Sequence, residues 1–185
     1  MTQTTKRALA ASLKTLLETK PLDKITVTDV AEDCGVNRQT FYYHFQDIYD
    51  LVEWIFLSEA EGVIGENRTR DTWQEGYLGL FTYLRENRHL VLNTYHSINR
   101  DQLENFLYKA TFDLLAGVVE ECAAGLSVRE EDRAFVTHFY KYAFVGLVLD
   151  WLREGMKGDP AALVGRLNTL IQGDVRRGLE KLSAG

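Results

Sequence analysis

The sequence predicts an all-α protein, with an N-terminal three-helix helix-turn-helix domain followed by a C-terminal helical bundle. Three observations favour this fold class. The 185 residues include only two Pro, the residue that most strongly breaks helices. Apolar side chains recur three and four residues apart through most of the chain, which is the period of an amphipathic helix. Residues 26–45 have the spacing of two short helices joined by a tight turn.

Residues 26–45 read TVTDVAEDCGVNRQTFYYHF. Thr26 and Asp29 form a capping-box-like pair that opens the first short helix. The ends of the turn between the helices have favourable residue types, Gly35 after the first helix and Asn37 as the N-cap of the second. Phe41 and Phe45 lie four residues apart and give the second helix one apolar face. The pattern therefore predicts that this second helix packs with both rings turned inward.

The opposite face of the second helix carries polar and aromatic side chains but no carboxylate. Arg and Gln can hydrogen-bond to base edges, Thr can touch a thymine methyl group, and Tyr can reach phosphate oxygens. With one residue from the first helix, this face forms the predicted DNA-binding set: Thr28, Arg38, Gln39, Thr40, Tyr42, Tyr43 and His44. The alternative is a polar helix hairpin inside an all-α domain.

The elements ITVTDVAEDC and GVNRQTFYYHF resemble the DNA-binding domain of TetR-type transcriptional regulators, and the resemblance covers residues 6–55. It implies a homodimer that binds an inverted-repeat operator in double-stranded DNA and is modulated by a small-molecule or protein effector. One departure stands out. The family pattern has a phosphate-contacting Lys three residues after the His-Phe pair, where this chain has Gln46-Asp47-Ile48.

A second, weaker resemblance lies near the C-terminus. Residues 144–156, FVGLVLDWLREGM, are similar to the subset of the family related to dihydroxyacetone-kinase-operon activators. This resemblance implies a shortened effector domain and an activator that works with a partner protein.

The net charge of −6 is unevenly distributed. Residues 1–46 hold six Lys or Arg and five Asp or Glu, whereas the remainder holds fifteen and twenty-two. An acidic body should lie away from a phosphate backbone, and a nearly neutral N-terminal part must bind DNA through few, well-placed contacts. The acidic body and the missing Lys leave an alternative function open, a helix-turn-helix co-regulator that acts through protein–protein contact with a second regulator.

Several functional classes lack a supporting pattern. Cys34 and Cys122 form neither a disulfide framework nor a metal-ligand spacing. The chain shows no Gly-rich phosphate loop, nucleophile elbow or HExxH motif, so no enzyme, cofactor or metal is expected. A small helical enzyme is the least favoured reading. The absence of a signal peptide and of an apolar run of membrane length favours a cytoplasmic protein without a membrane partner.

We predict two domains. Residues 1–50 form the helix-turn-helix domain, and residues 51–185 form the effector-binding and dimerisation domain. The pattern predicts a frayed tail over residues 1–5 and a first helix over Lys6–Thr19. Ser127 and Glu130 suggest a capping box that opens a long helix. Asp159 and Pro160 have the types of an N-cap and first helical residue. The helix that they open is expected to continue to Leu182.

The long penultimate helix is apolar on every side from Tyr142 to Leu149, so it must be covered all round. One face can meet its own domain, and the other is predicted to pack, with the last helix, against a second copy. The predicted dimer interface comprises Phe144, Val145, Val148, Trp151, Leu163, Leu167, Leu170 and Ile171. The alternative is a buried central helix in a monomer.

An effector pocket would combine aromatic side chains with a few polar groups. The candidates are Trp73, Tyr77, Tyr95, His96, Phe106, His138 and Tyr142. Each of them could equally be an ordinary core residue.

Overall fold

The computed structural model describes residues 2–97 and 100–183. Within these residues it contains ten α-helices, a single 3₁₀ turn and no strand, which confirms the all-α fold class. The helices are α1 (Thr2–Leu16), α2 (Val27–Asp33), α3 (Arg38–His44), α4 (Ile48–Ile64), α5 (Trp73–Glu86), α6 (Arg88–Tyr95), α7 (Arg100–Ala123), α8 (Glu130–Arg153), α9 (Pro160–Ile171) and α10 (Asp174–Ser183). The 3₁₀ turn, Leu22–Lys24, connects α1 to α2.

The chain forms two compact units. The N-terminal unit comprises Met1–Glu59 and Glu86–Phe106, and the C-terminal unit comprises Ala60–Arg85 and Leu107–Gly185. Packing defines these units, whereas the predicted division at residue 50 concerns function and stays a prediction.

The core of the N-terminal unit joins α1, the helix-turn-helix and α4. Leu9, Leu13, Val30 and Phe41 are fully buried. The carboxylate of Glu59 on α4 accepts two hydrogen bonds from Lys14 Nζ on α1, at 2.8 and 3.0 Å. Side chains from α6 and α7 also bind this unit's backbone.

Two of these backbone contacts lie on either side of the helix-turn-helix. Asn93 Oδ1 accepts from the Leu22 N–H at 3.0 Å. Gln102 Nε2 donates to the Tyr49 carbonyl at 3.1 Å. The helix-turn-helix is thus tied to α6 and α7 through main-chain atoms before α2 and after α3.

The expected frayed tail is wrong for residues 2–5, because α1 begins at Thr2. No Gly or Pro interrupts this stretch, and the Lys6 ammonium lies over two aromatic rings, 5.1 Å from the centroid of Phe45 and 5.6 Å from that of Trp54. A cation–π contact of this kind fixes the first turns of the helix.

An aromatic cluster fills the C-terminal unit. Tyr77 is fully buried, and its hydroxyl donates to the Phe144 carbonyl at 2.8 Å. Burial raises the pKa of the Tyr77 hydroxyl far above its ordinary value, so it acts as a hydrogen-bond donor. Trp73 packs on Phe144, and Phe81 packs edge-on against Trp151.

The final helix is not continuous. The predicted N-cap is confirmed, since Asp159 Oδ1 accepts from the Ala161 N–H at 3.0 Å with Pro160 at the first helical position. The chain then breaks at Gly173, which has a φ of +79°, a conformation that costs glycine little. The predicted capping box at Ser127 is wrong, because α8 begins at Glu130 with Arg129 as its N-cap.

The end of α4 and the α4–α5 loop (residues 65–72) lie directly on glycines of α5 and α7. A Cβ atom on Gly76 would lie 2.6 Å from the Asn67 carbonyl oxygen. At Gly79 and Gly117 the corresponding distances, to other carbonyl oxygens of this segment, would be 2.7 and 2.4 Å. These helices therefore accept the segment only because the three positions lack a side chain.

Candidate nucleic-acid interface

The start of α2 is fixed by reciprocal capping, as predicted from Thr26 and Asp29. Thr26 Oγ1 accepts from the Asp29 N–H at 3.1 Å, and Asp29 Oδ2 accepts from the Thr26 N–H at 2.8 Å. Lys20 Nζ lies 2.8 Å from Asp29 Oδ1. The hydrogen bond from Lys20 and those from Thr26 hold the pKa of the Asp29 carboxyl well below its ordinary value.

The turn between α2 and α3 uses the residues that the sequence indicates. Gly35 has a φ of +71°. Asn37 is the N-cap of α3, and its Oδ1 accepts from the Thr40 N–H at 2.8 Å and from the Thr40 hydroxyl at 3.0 Å. Phe41 is 0% exposed and Phe45 is 3% exposed. Capping at one end and two buried rings on one side therefore set which face of α3 meets solvent.

The outward face of α3 presents the predicted residues. Arg38 and Gln39 are exposed at its N-terminus, and further along Tyr42 is 58% exposed and Tyr43 is 80% exposed. Two exposed tyrosines side by side on a short helix are unusual in a solvated surface. They are suited to a partner that offers hydrogen-bond acceptors.

The other three predicted residues are half-buried: Thr28, Thr40 and His44. The hydroxyl of Thr40 is already engaged with Asn37, so its methyl group is the part left for a base. His44 packs edge-on against Tyr43, with centroids 4.9 Å apart. Gln46, two residues after the end of α3, is also exposed.

The N-terminus of α4 is occupied by the chain's own carboxylates. Asp47 Oδ1 accepts from the N–H groups of Tyr49 and Asp50 at 2.8 and 2.9 Å. Asp50 Oδ2 accepts from the Gln46 N–H at 2.8 Å. Free N–H groups at a helix N-terminus bind phosphate well, and here carboxylates already occupy them.

The predicted effector residues fall in both units. Tyr95, His96 and Phe106 belong to the N-terminal unit. Of these three residues, His96 is exposed and the other two are buried. In the C-terminal unit, Trp73 and Tyr77 are buried against Phe144. The remaining two, His138 and Tyr142, are exposed beside Lys141. The set stays a prediction.

Lys141 is 8% exposed and lies in an aromatic surrounding. Its Nζ lies 2.9 Å from His138 Nδ1 and 4.5 Å from the centroid of the Tyr142 ring. The ring of Tyr108 lies 5.2 Å away. These contacts stabilise a buried ammonium through the faces of aromatic rings.

Most of the predicted dimer residues are covered within one protomer. Phe144, Val145, Val148, Trp151 and Leu167 are all buried. Leu163 and Ile171 are half-buried, and Leu170 is 69% exposed. The C-terminal unit thus covers one side of α8 with its own helices. The buried residues of the predicted interface therefore belong to the core of this unit. The interface itself stays a prediction.

The opposite side of α8 carries exposed apolar side chains. Phe135 is 65% exposed, Phe139 61% and Tyr142 58%. Gly146 is exposed, and a Cβ there would meet no atom within 4 Å. With the half-buried Leu149, these positions recur at alternating spacings of four and three residues, which is the spacing of a helix–helix seam.

Two parts of the chain match known families. Residues 4–55 match the family described as bacterial regulatory proteins, tetR family, and residues 71–173 match the transcriptional regulator C-terminal region. The chain belongs to the TetR family. It is therefore a transcriptional regulator of a DNA-binding family and not an enzyme. In the described residues, no group of His, Cys, Asp or Glu is arranged to hold a metal.

Individual relatives agree with this assignment. The HTH-type dhaKLM operon transcriptional activator DhaS of Lactococcus lactis subsp. lactis (strain IL1403) is 30% identical over 115 residues. That match covers 59% of this chain and 62% of the relative, less than two thirds of its length. This relative confirms the weaker resemblance to the dihydroxyacetone-kinase-operon subset.

Solved structures show the same fold. The dihydroxyacetone kinase operon activator DhaS superposes with a TM-score of 0.75 and 22% identity, over 94% of this chain and 97% of that chain. NalD, the secondary repressor of the MexAB-OprM multidrug efflux pump in Pseudomonas aeruginosa, gives 0.61 and 16%, over 97% and 98%. Among the described residues, no helix is long and apolar enough to cross a membrane.

Proposed function

We propose that the chain is a sequence-specific regulator that binds an inverted-repeat operator as a homodimer and responds to a small-molecule or protein effector. The observation that supports it best is the outward face of α3. It combines exposed Arg38, Gln39, Tyr42 and Tyr43 with no carboxylate, on a helix held by a cap and two buried rings. This surface fits the major groove of DNA. Binding to DNA would place the protein in the cytoplasm of a bacterial cell.

The residues of α3 divide by position. Arg38, Gln39 and Thr40 lie at the helix N-terminus, which enters the major groove in helix-turn-helix complexes, so they carry the sequence preference. Tyr42, Tyr43 and His44 lie further along and hold the DNA backbone. Contacts with base edges specify sequence, whereas contacts with phosphates mainly position the protein.

We expect this protein to make few ionic contacts with DNA phosphates. Lys6, Lys14 and Lys20 are each engaged within the N-terminal unit, and Asp47 occupies the N-terminus of α4. Because the salt dependence of DNA binding scales with the number of neutralised phosphates, the affinity should fall only shallowly with added salt for a dimer of this size.

Homodimerisation uses the exposed seam of α8, from Phe135 through Gly146 to Leu149, together with exposed Leu170 of α9. A two-fold dimer presents two copies of α3, so the half-sites should lie about 34–36 Å apart, or a multiple of that. Gly146 lets two helices approach closely because it has no side chain.

Light scattering tests the seam directly. Phe139→Glu should give a folded monomer, because the Phe139 side chain is 61% exposed and is not part of the hydrophobic core. Leu57→Glu is the matched control, an equally radical change at a 43% exposed apolar residue of α4, and it should remain dimeric. A wild-type protein that is monomeric at micromolar concentration would contradict the proposed homodimer.

A gel shift with the intergenic DNA upstream of the protein's own gene tests operator binding. Retardation by the protein alone supports the proposal. Retardation only after a second regulator is added supports the alternative, a co-regulator that acts mainly through protein–protein contact. The carboxylates of Asp47 and Asp50 at the N-terminus of α4 favour that alternative. Repeating the assay with candidate metabolites tests whether an effector changes the affinity.

A further inference from the structure

The C-terminal unit contains a cavity whose lining includes just one of the predicted effector residues, Trp73. It has a volume of about 480 Å³ and lies where the start of α5, the end of α7 and the α9–α10 junction meet. Its floor is apolar and buried, formed by Trp73, Val118, Cys122 and Val175. A cavity of this size accommodates a small metabolite.

The rim of the cavity is polar and carries charges of both signs. Three guanidinium groups line it, from Arg70, Arg176 and Arg177, against two carboxylates, from Asp71 and Glu180. Amide side chains that can donate hydrogen bonds also line it, namely Gln74, Asn168 and Gln172.

Two of the three arginines are held by the protein itself. Arg176 Nη1 donates to the carbonyls of Cys122 and Ala124 at 2.9 and 3.2 Å, and its Nε lies 3.1 Å from Glu180 Oε1. Arg177 Nη2 lies 2.8 Å from Asp174 Oδ1. These pairs fix the α10 side of the cavity and neutralise its charges.

Arg70 is the cation that remains available. Its backbone N–H donates to Glu121 Oε2 at 2.7 Å, which holds the loop in place independently of the side chain. In the part of the chain that the structure describes, no carboxylate pairs with the Arg70 guanidinium. An unpaired guanidinium beside an apolar floor favours a bound carboxylate, because such hydrogen bonds are charge-assisted and can be bidentate.

The floor of the cavity lies close to this charge. Burial raises the pKa of the Cys122 thiol, whereas the positive charges of Arg70 and Arg176 lower it and that of Glu121 raises it. Both guanidinium groups therefore lie near the buried end of the cavity.

We propose that this cavity binds a small organic acid, with its carboxylate on Arg70 and its apolar part on Trp73 and Val118. Calling this ligand the effector rests on the function proposed above; its binding does not. The match to the family's C-terminal region ends at residue 173, so one wall of this site, α10, comes from the part of the chain beyond that match.

Titration calorimetry with benzoate and benzamide tests the charge requirement, since the two probes share a ring and differ in charge. Benzoate should bind the full-length wild-type protein about tenfold or more tightly than benzamide, the difference expected for a hydrogen bond to a charged group. Arg70→Gln should remove that difference while leaving the melting temperature without ligand unchanged. Arg153→Gln, the same change at an exposed arginine that does not line the cavity, should bind like the wild type.

Three results would overturn the proposal: no benzoate binding at about 10 mM, equal affinity for benzoate and benzamide, or unchanged benzoate binding in Arg70→Gln. None of them bears on the gel shift without ligand, which tests operator binding separately. Conversely, a protein that fails to bind DNA but binds benzoate through Arg70 would retain this site and lose only its role as an effector site.

Discussion

Phe41→Ala should destabilise the helix-turn-helix. Its effect on the free energy of unfolding should be far larger than that of any substitution on the outward face of α3. Phe41 is 0% exposed, and its ring centroid lies 5.8 Å from that of Phe45 and 5.9 Å from that of Tyr42. Truncation leaves a cavity of about 100 Å³, which costs about 2.4 kcal/mol, in addition to about 2 kcal/mol of lost transfer free energy. We therefore expect the free energy of unfolding to fall by about 3–5 kcal/mol.

Hydrogen exchange measured by mass spectrometry on peptides covering residues 22–56 reports this local stability, and urea denaturation reports the global value. Tyr43→Ala is the matched control on the same helix. Because Tyr43 is 80% exposed, its truncation should change the free energy of unfolding by less than about 0.5 kcal/mol. Equal protection factors in the two variants would show that the orientation of α3 inferred from its apolar spacing is wrong.

Three further predictions concern DNA binding, the stability in acid and the close-packed glycines. Gln39→Ala should cost about 1–3 kcal/mol of affinity on the cognate duplex and little on random DNA, whereas Tyr42→Phe should weaken both alike in fluorescence anisotropy titrations. Asp29→Asn should reduce the loss of stability on acidification, measured as urea midpoints between about pH 2 and about pH 6. The folded-state pKa of Asp29 lies below its ordinary 3.8, so its contribution is present above that value and disappears as the pH falls. Gly117→Ala should destabilise by about 1–3 kcal/mol in calorimetry, whereas Gly165→Ala, with no atom within 4 Å, should stabilise by up to about 1 kcal/mol.

Local chemistry made the helix-turn-helix predictable. The cap at Thr26 and Asp29, the turn at Gly35 and the cap at Asn37 each depend on atoms within a few residues, and the structure confirms all three. The four-residue spacing of Phe41 and Phe45 likewise indicates the buried face of α3 without knowledge of the rest of the fold.

Features that depend on distant partners were not predictable in this way. The periodicity of α8 identifies two apolar faces, but only packing decides that Phe144 and Val148 are covered within the protomer while Phe135 and Phe139 are exposed. Lys141 occupies a buried position because aromatic rings from another helix surround it. The cavity beside Arg70 combines segments more than forty residues apart, which no local pattern indicates.

The three glycines of α5 and α7 that contact the end of α4 and the α4–α5 loop suggest how related chains can be recognised. Gly76, Gly79 and Gly117 each lie so close to a backbone oxygen that even a methyl group would displace it. Backbone oxygens cannot move aside as flexible side chains do, so mutational drift at these positions is restricted whatever ligand or operator a chain binds. A G-x-x-G pair on α5 together with one glycine on α7 is thus a search pattern for chains that attach this segment in the same way. Any chain that matches the family but lacks the pattern should place its α4–α5 loop along a different path.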